Sequence, residues 1–298
     1  MNVNVGNHQH PISQVLSEEM KSHIEENYSV TKNLEDRQLF YSFPCDQNIG
    51  LWDWTKNIYR ENLHQSGNSL EIGAGMGNFW DEEFLAELLK RGSVYITDSS
   101  QAMVDKCKEC SLLQKNNVVI ELENACKLRY ENCRFSMLLS HFMMYEVSSI
   151  ETALAEASRV LKKDGIALFL TSPKNFFCEF YEAMEEFDSR FKNMLLNRKI
   201  HRFNDETAPE LLSRYFDEVT EKVYEVSHYV TWQHPKGKSG AQVALDRFRS
   251  LQVIKESKIE PELWPEAAKY LEMKIREAGE KGWRIRNNRV AFLCKSPK

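Results

Sequence analysis

The chain has 298 residues, 42% hydrophobic and 28% charged, an ordinary soluble composition with enough apolar mass for one large domain or one domain with additions. A formal net charge of −5, spread in both signs along the chain, argues against a broad phosphate-binding face and so against a nucleic-acid partner. No uninterrupted apolar run approaches the roughly 18 residues that cross a bilayer, so no membrane span is expected.

In chain order, residues 1–12 are polar and aperiodic and read as disordered. Helical patterns follow at 12–27 and 33–40, broken at Pro44. Another, at 48–63, carries an aromatic face of Trp52, Trp54 and Tyr59. From Gly67 the rhythm changes to alternating strands and helices. Strands are predicted at 69–72, 93–97, 117–122, 135–139 and 166–171. Helices are predicted at 79–91, 100–113 and 150–161, the last stopped by Lys163-Asp164-Gly165. This β-α-β alternation implies a parallel sheet with helices on both faces. Beyond Pro173 the pattern predicts helices at 176–195, 208–215, 241–255 and 261–279. It also predicts a long strand at 218–232 and a final strand or hairpin at 283–294, turning at Asn287-Asn288. The seven cysteines are Cys45, Cys107, Cys110, Cys126, Cys133, Cys178 and Cys294. Their odd number, irregular spacing and a polar Met1–Pro11 suggest reduced thiols and a cytoplasmic location. Cys107-x-x-Cys110 has no second pair nearby, so it reads as two ordinary thiols, and no metal site is expected.

The densest chemistry lies in Leu70-Glu71-Ile72-Gly73-Ala74-Gly75-Met76-Gly77-Asn78-Phe79. A strand runs into three glycines at alternate positions, which let the backbone turn sharply and approach a ligand without a Cβ in the way. A dinucleotide loop would want G-x-G-x-x-G. Here the third glycine comes one position early, and Glu71 stands where such strands are apolar, so S-adenosylmethionine (SAM) is favoured over NAD. The Glu71 carboxylate could bind a ligand ammonium through water or order the loop amides. Asp98 closes the next strand, where a carboxylate can accept both hydroxyls of a ribose. It could equally cap the following helix.

On these residues the segment from Leu70 to Pro173 resembles the class I SAM-dependent methyltransferases, in the subgroup related to ubiquinone/menaquinone methyltransferases. Glu71–Gly77 matches E-x-G-x-G-x-G, Asp98–Met103 matches D-x-S-x-x-M, and Arg159–Gly165 is similar to R-V-L-K-P-G-G. The resemblance implies a doubly wound, seven-stranded Rossmann-like sheet with SAM as cofactor and S-adenosylhomocysteine (SAH) as product. It puts Glu71, Gly73, Ala74, Gly75 and Gly77 beside the methionine part, Asp98 on the ribose, and Ser99 and Met103 on the adenosine side. Asn124-Ala125 stands where Asp-Ala often reads the adenine amino group, and an Asn carbonyl can still accept that bond. Ser136 replaces a usual Asp at the start of the fourth strand, a structural position.

By the same resemblance, the end of the fourth strand faces the sulfonium. Ser140 is therefore expected against the cofactor, and His141 and Tyr145 at the floor of the site, with His141 a candidate base. Tyr28, Tyr41 and Trp52 could line an aromatic lid over the sulfonium, and Tyr229 and Trp232 could reach the acceptor from a later strand. Phe176, Phe177, Phe180 and Tyr181 form a stripe at helical spacing that reads as core. Residues 1–65 are expected to form a helical N-terminal cap. Residues 66–298 form the methyltransferase domain, with lid or insertion helices at about 174–204 and 241–280. The implied reaction is methyl transfer to O, N or C of a small-molecule acceptor by a monomer or homodimer. The rivals are a methyltransferase of tRNA or protein and a non-catalytic SAM-binding module.

Overall fold

The computed structural model describes residues 31–63, 66–192, 199–250 and 259–298; the helical pattern at 12–27 lies outside them. Helix α1 (Thr31–Phe40) and the amphipathic α2 (Leu51–Asn62) precede the first strand. Then come β1 (Asn68–Ile72), α3 (Glu82–Leu89), β2 (Val94–Asp98), α4 (Gln101–Glu109), α5 (Ser111–Lys115), β3 (Val119–Leu122), β4 (Phe135–His141), α6 (Ile150–Val160) and β5 (Leu161–Thr171). The remainder is α7 (Cys178–Phe187), α8 (Ala208–Ser213), β6 (Phe216–Tyr224), β7 (Ser227–Val230), α9 (Gly240–Arg249), α10 (Leu263–Glu277), β8 (Trp283–Arg286) and β9 (Arg289–Pro297).

Seven strands form one sheet in the order β3-β2-β1-β4-β5-β9-β6. The first five are parallel, and β9 lies antiparallel between β5 and β6. The order reverses between β1 and β4, the crevice where doubly wound sheets take ligands. Period-two alternation decides what each face buries. Ala167, Phe169, Val290 and Phe292 face a core with Leu70, Leu154 and Ala157. Ile166, Leu168, Leu170, Ala291 and Leu293 face the opposite core with Ile58, Tyr59, Phe84 and Leu88. Glu71, between Leu70 and Ile72, falls on this second face.

A third core lies off the sheet. Phe40 and Phe43 pack with Phe177, Phe180, Tyr181, Phe248, Leu271 and Ile285, so α1 shares its core with α7, α9, α10 and the small β7-β8 sheet. The predicted stripe is core: Phe180 and Tyr181 on α7 and Phe177 just before it are buried, and Phe176 is partly buried against the same cluster.

Several elements differ from the sequence-based expectation; the helix expected at 176–195 spans only Cys178–Phe187, and the strand expected at 166–171 already begins at Leu161. The long strand expected at 218–232 breaks at Glu225-Val226 and serves two sheets, β6 joining the large one and β7 the small one. The segment at 283–294 is no hairpin. β8 pairs with β7 and β9 with β5 and β6, because Asn287 is pinned between sheets: its N–H donates to Val226 O (2.8 Å) and its side-chain amide to His228 Nδ1 (3.2 Å). The helix expected at 79–91 starts only at Glu82, where Asp81 caps it by accepting from Phe84 N (2.8 Å). The helix expected at 100–113 breaks at Cys110, whose backbone is extended.

Candidate active site

The carboxyl ends of β1, β2, β3 and β4 open on a cavity of about 300 Å³, at the lower end of the range typical of small-molecule sites. The loop after β1 forms its floor. Gly73, Gly75 and Gly77 have φ of +71°, +58° and +75°, a region in which L side chains are strained. Their surroundings separate them. A Cβ on Gly73 would sit 2.7 Å from Met143 Cγ, and one on Gly77 would press on Leu113 and Cys107. A Cβ on Gly75 would meet no protein atom within 4 Å, and Gly75 lines the cavity. Gly73 and Ala74 also line it, whereas Gly77 does not. Gly77 is where the loop rests on α4 and α5.

Asp98 stands across from this floor. Its Oδ2 accepts from Gly75 N (2.9 Å) and its Oδ1 from Ser100 N (2.9 Å), so it both orders the glycine loop and caps the turn into α4. Asp98 also lines the cavity, and a carboxylate with about four acceptor sites has capacity beyond these bonds. Burial raises its pKa above the ordinary aspartate value, against the pull of the backbone N–H groups of Ser100, Gly75 and Ser99. Ser99, Met103, Asn124 and Ala125 complete this end. The Asn124 side-chain oxygen already accepts from Cys126 N (2.8 Å). Its amide therefore presents hydrogens to the cavity more readily than an acceptor.

Glu71 is bound on both oxygens inside the protein. Trp80 Nε1–H donates to Oε2 (2.6 Å), and His141 Nδ1 lies 3.1 Å from Oε1. A carboxylate only accepts, so Nδ1 carries the hydrogen. In neutral His141 the other nitrogen then accepts from the Tyr59 hydroxyl (3.3 Å). That hydroxyl's pKa is raised well above the usual tyrosine value by burial and by Glu71. The His141 ring also packs on Phe79, with centroids 4.4 Å apart. Trp80 and Tyr59 were not singled out from sequence as partners of Glu71 and His141 respectively. The signal for them is weak: a Trp nine residues on, and a Tyr on the aromatic face of α2.

Strand β4 ends at a second positive-φ residue, Phe142 (+56°). This turn carries Met143 over Gly73 and leaves Phe142 and Tyr145 on the cavity wall. Ser140 lies outside the wall; its hydroxyl is buried and finds no partner among the described residues. Of the aromatic acceptor candidates, Trp52 lines the cavity. Tyr41 does not, and its hydroxyl accepts from Arg289 (3.1 Å) and Arg247 (3.4 Å). Tyr229 lies under the Lys281 ammonium and Trp232 under the Arg276 guanidinium, both away from the cavity. Tyr28 lies outside the described residues. Cavity residues that sequence reasoning did not single out include Arg37 and Glu123, the latter paired with Arg129 (2.7 Å). Ser136 donates to Ser66 O (3.3 Å) near the opposite end of β4, far from the chemistry. Cys107 donates to Gly75 O (3.2 Å), and burial, with Glu71 and Asp98 nearby, pushes its thiol up to about 12. Among the described residues no group of three or more His, Cys, Asp or Glu is placed to hold a metal, and no helix is long and apolar enough to cross a membrane.

Comparison with known proteins agrees with this geometry. Residues 70–169 match a family model described as a methyltransferase domain. The ubiquinone/menaquinone biosynthesis C-methyltransferase UbiE of Neisseria meningitidis is 27% identical over 128 residues, 43% of this chain. The match spans about half the length of that relative. Among solved structures, a candidate methyltransferase from Bacillus halodurans aligns with a TM-score of 0.50 at 14% identity, covering 83% of this chain and 99% of its own. The Haemonchus contortus phosphoethanolamine N-methyltransferase 2, solved with SAM, aligns at 0.51 and 14% identity, covering 96% of this chain and 61% of its own. Both likenesses are of fold. The family match, with the strand order, the glycine loop and the acid closing β2, identifies residues 70–169 as a methyltransferase domain of the class I SAM-dependent type.

Proposed function

We propose that this chain transfers the methyl group of SAM to an O, N or C atom of a small-molecule acceptor. The reading is carried by one juxtaposition: Gly75, bare of side chain and facing open space, is hydrogen-bonded to a part-buried carboxylate, Asp98, in one cavity at the switch point of the sheet. The residues present fit the cofactor. Asp98 would accept the two ribose hydroxyls with its remaining acceptor capacity. Ser99 and Met103 would flank the adenosine, and the amide of Asn124 would donate to a ring nitrogen of the base. The Gly73–Gly75 backbone would admit the methionine part.

SAM, when bound, supplies an activated sulfonium methyl for in-line displacement. Alignment of donor and acceptor can contribute about 7–11 kcal/mol to such a step, so no strong base is required. His141 acts here as a positioning residue: both ring nitrogens are occupied, and it holds Glu71 in place under the loop. Trp52, Phe142 and Tyr145 shape the acceptor end. A small acceptor is favoured over a macromolecule by the net charge of −5 and by the small-molecule pathway named for the Neisseria relative. The unpaired cysteines fit a cytoplasmic setting.

The test is calorimetry with SAM and SAH, followed by transfer of labelled methyl to a panel of small acceptors, tRNA and bulk protein. Saturable SAM binding with label on a small molecule is expected. Folded protein that binds neither SAM nor SAH refutes the reading. Binding without transfer to any acceptor turns it toward a non-catalytic module.

A further inference from the structure

Next to the cavity, three arginines converge on one tyrosine. Arg247 on α9 and Arg289 at the start of β9 are almost fully buried, at 3% and 4% exposure. Arg289 Nη1 donates to Asn287 O (2.6 Å), Asn287 Oδ1 (2.7 Å) and Asn288 O (2.8 Å), and its Nη2 to the Tyr41 hydroxyl. Arg247 Nη2 reaches the same hydroxyl, while its Nε and Nη1 are buried with no partner among the described residues. Arg37 lines the cavity and is anchored to Ser250 O (2.6 Å). Although burial opposes it, the three guanidinium groups hold the Tyr41 phenol below its ordinary pKa.

No carboxylate among the described residues pairs with this charge. The groups that act on Arg289 are Tyr41, Arg247 and Tyr145, and its own pKa is lowered by burial and by the neighbouring Arg247. Instead the guanidinium groups lie over ring faces, Arg247 over Phe177 (4.5 Å) and Arg289 over Phe176 (4.4 Å) and Phe142 (5.5 Å). Ring faces return only part of what burying an unpaired charge costs. A fold that keeps two such charges side by side, with two guanidinium nitrogens idle, is arranged for an anion. Phe142 links the cluster to the cofactor cavity, because it packs under Arg289 and forms part of the cavity wall.

We propose that Arg37, Arg247 and Arg289 form the anion-binding half of the acceptor pocket, and that the methyl acceptor carries a carboxylate or a phosphate. The idle Nε and Nη1 of Arg247 lie on different edges of the guanidinium, on either side of the Nη2 that reaches Tyr41, and each can donate one bond to an anionic oxygen. Tyr41 accepts from two arginines, which leaves its own hydrogen for the ligand. That this anion belongs to a methyl acceptor rests on the methyltransferase reading above; that the cluster binds an anion does not.

The test is titration calorimetry of the full chain with inorganic phosphate and, separately, sodium acetate, at constant ionic strength set with chloride, with and without SAH. Saturable binding of at least one anion is expected, and the one preferred tells phosphate from carboxylate. Arg37→Gln, at a half-exposed site, should weaken that binding about tenfold or more while Tm stays near the wild type; Arg289→Lys should weaken it likewise but with a lower Tm, because the Asn287 and Asn288 acceptors lose their donor. If Arg289→Lys does not fold, Arg37→Gln decides alone. Absence of saturable binding of both anions to the wild type overturns the proposal even where SAH binds normally. So does anion binding that Arg37→Gln leaves unchanged. Protein that binds an anion through these arginines but binds neither SAM nor SAH keeps the pocket and refutes the methyltransferase reading.

Discussion

Replacement of Asp98 by alanine is the most direct perturbation of the cofactor site. Its carboxylate has two tasks, ordering Gly75 N and Ser100 N and offering its remaining lone pairs to a ligand. Alanine ends both. Gly75 borders the cavity, where water can reach its N–H, whereas Ser100 is buried, so folding should lose about 1–2 kcal/mol. The bonds forgone with the ligand are charge-assisted and part-buried. A net loss of about 1–3 kcal/mol, or roughly 5- to 150-fold in Kd, is expected. Calorimetry with SAH, paired with thermal unfolding, separates the two effects. Asp98→Asn, which keeps one oxygen, should fall between. The pH dependence adds an independent check. Burial places the Asp98 pKa above the ordinary aspartate value, so acidification removes the acceptor charge at a higher pH than for an exposed aspartate. Wild-type affinity should therefore decline on mild acidification, and that of Asp98→Asn should stay flat. A folded Asp98→Ala protein with wild-type Kd would show that the ribose is held elsewhere.

The glycines should respond differently to alanine. Gly73→Ala places a Cβ against Met143 in a backbone region costing about 1–2 kcal/mol for an L residue, so Tm should drop. Gly75→Ala bears the same backbone cost but projects into open space, so SAH affinity should fall more than Tm; the reverse order would remove Gly75 from the ligand floor. Trp80→Phe leaves a buried Glu71 oxygen without its donor and should cost about 1.5–3 kcal/mol in denaturant unfolding; an unchanged midpoint would show that the oxygen finds water. His228 is held at about 4 by burial and by Arg289, so between that value and its unfolded value near 6.5 the unfolded chain binds the extra proton. Stability from this group is present above pH 6.5 and is lost as pH falls toward 4. His228→Asn should abolish about 2 kcal/mol of the loss between pH 7 and 5, and parallel stability curves for the two proteins would refute the assignment.

The α/β core was legible because its signals are local. Strand length, glycine spacing and the acid closing β2 all act within a few residues of one another. Gly73, Gly75 and Asp98 could be placed in one site from that rhythm, and Ser99, Met103 and Asn124 from the family resemblance; all of them line the cavity. What was not legible depends on pairings between distant segments. Residues 218–232 alternate like one strand, and only the choice of partners, β9 for one half and β8 for the other, splits them. The core of α1 comes from residues more than a hundred positions away, so the first helices could not be told from a separate cap. Tyr41 and Trp232 looked alike as aromatic acceptor candidates. One is drawn into the arginine cluster and the other lies exposed under Arg276, a difference no local pattern encodes. His141 shows the limit on chemistry. Its position at the end of β4 was readable, but the partners that occupy both nitrogens come from β1 and α2.

The two buried charge groups beside the cavity predict a further asymmetry. Glu71 is negative and satisfied, whereas the arginine cluster is positive and lacks an acid among the described residues. A sulfonium carries a positive charge that the thioether of SAH does not. With the arginines unfilled, their field opposes SAM and leaves SAH nearly unaffected; an anion on the cluster cancels that field. Two unit charges about 10 Å apart at an effective dielectric near 20 interact by roughly 1.7 kcal/mol, so the discrimination can reach about tenfold but not much more. Phosphate or acetate, whichever the cluster binds, should therefore tighten SAM while leaving the Kd of SAH unchanged, and Arg37→Gln should narrow the gap between them. Linkage requires the reverse as well: SAM should tighten the anion by the same factor. Equal shifts for SAM and SAH would mean that the anion acts through packing or loop order, and the electrostatic coupling would be wrong.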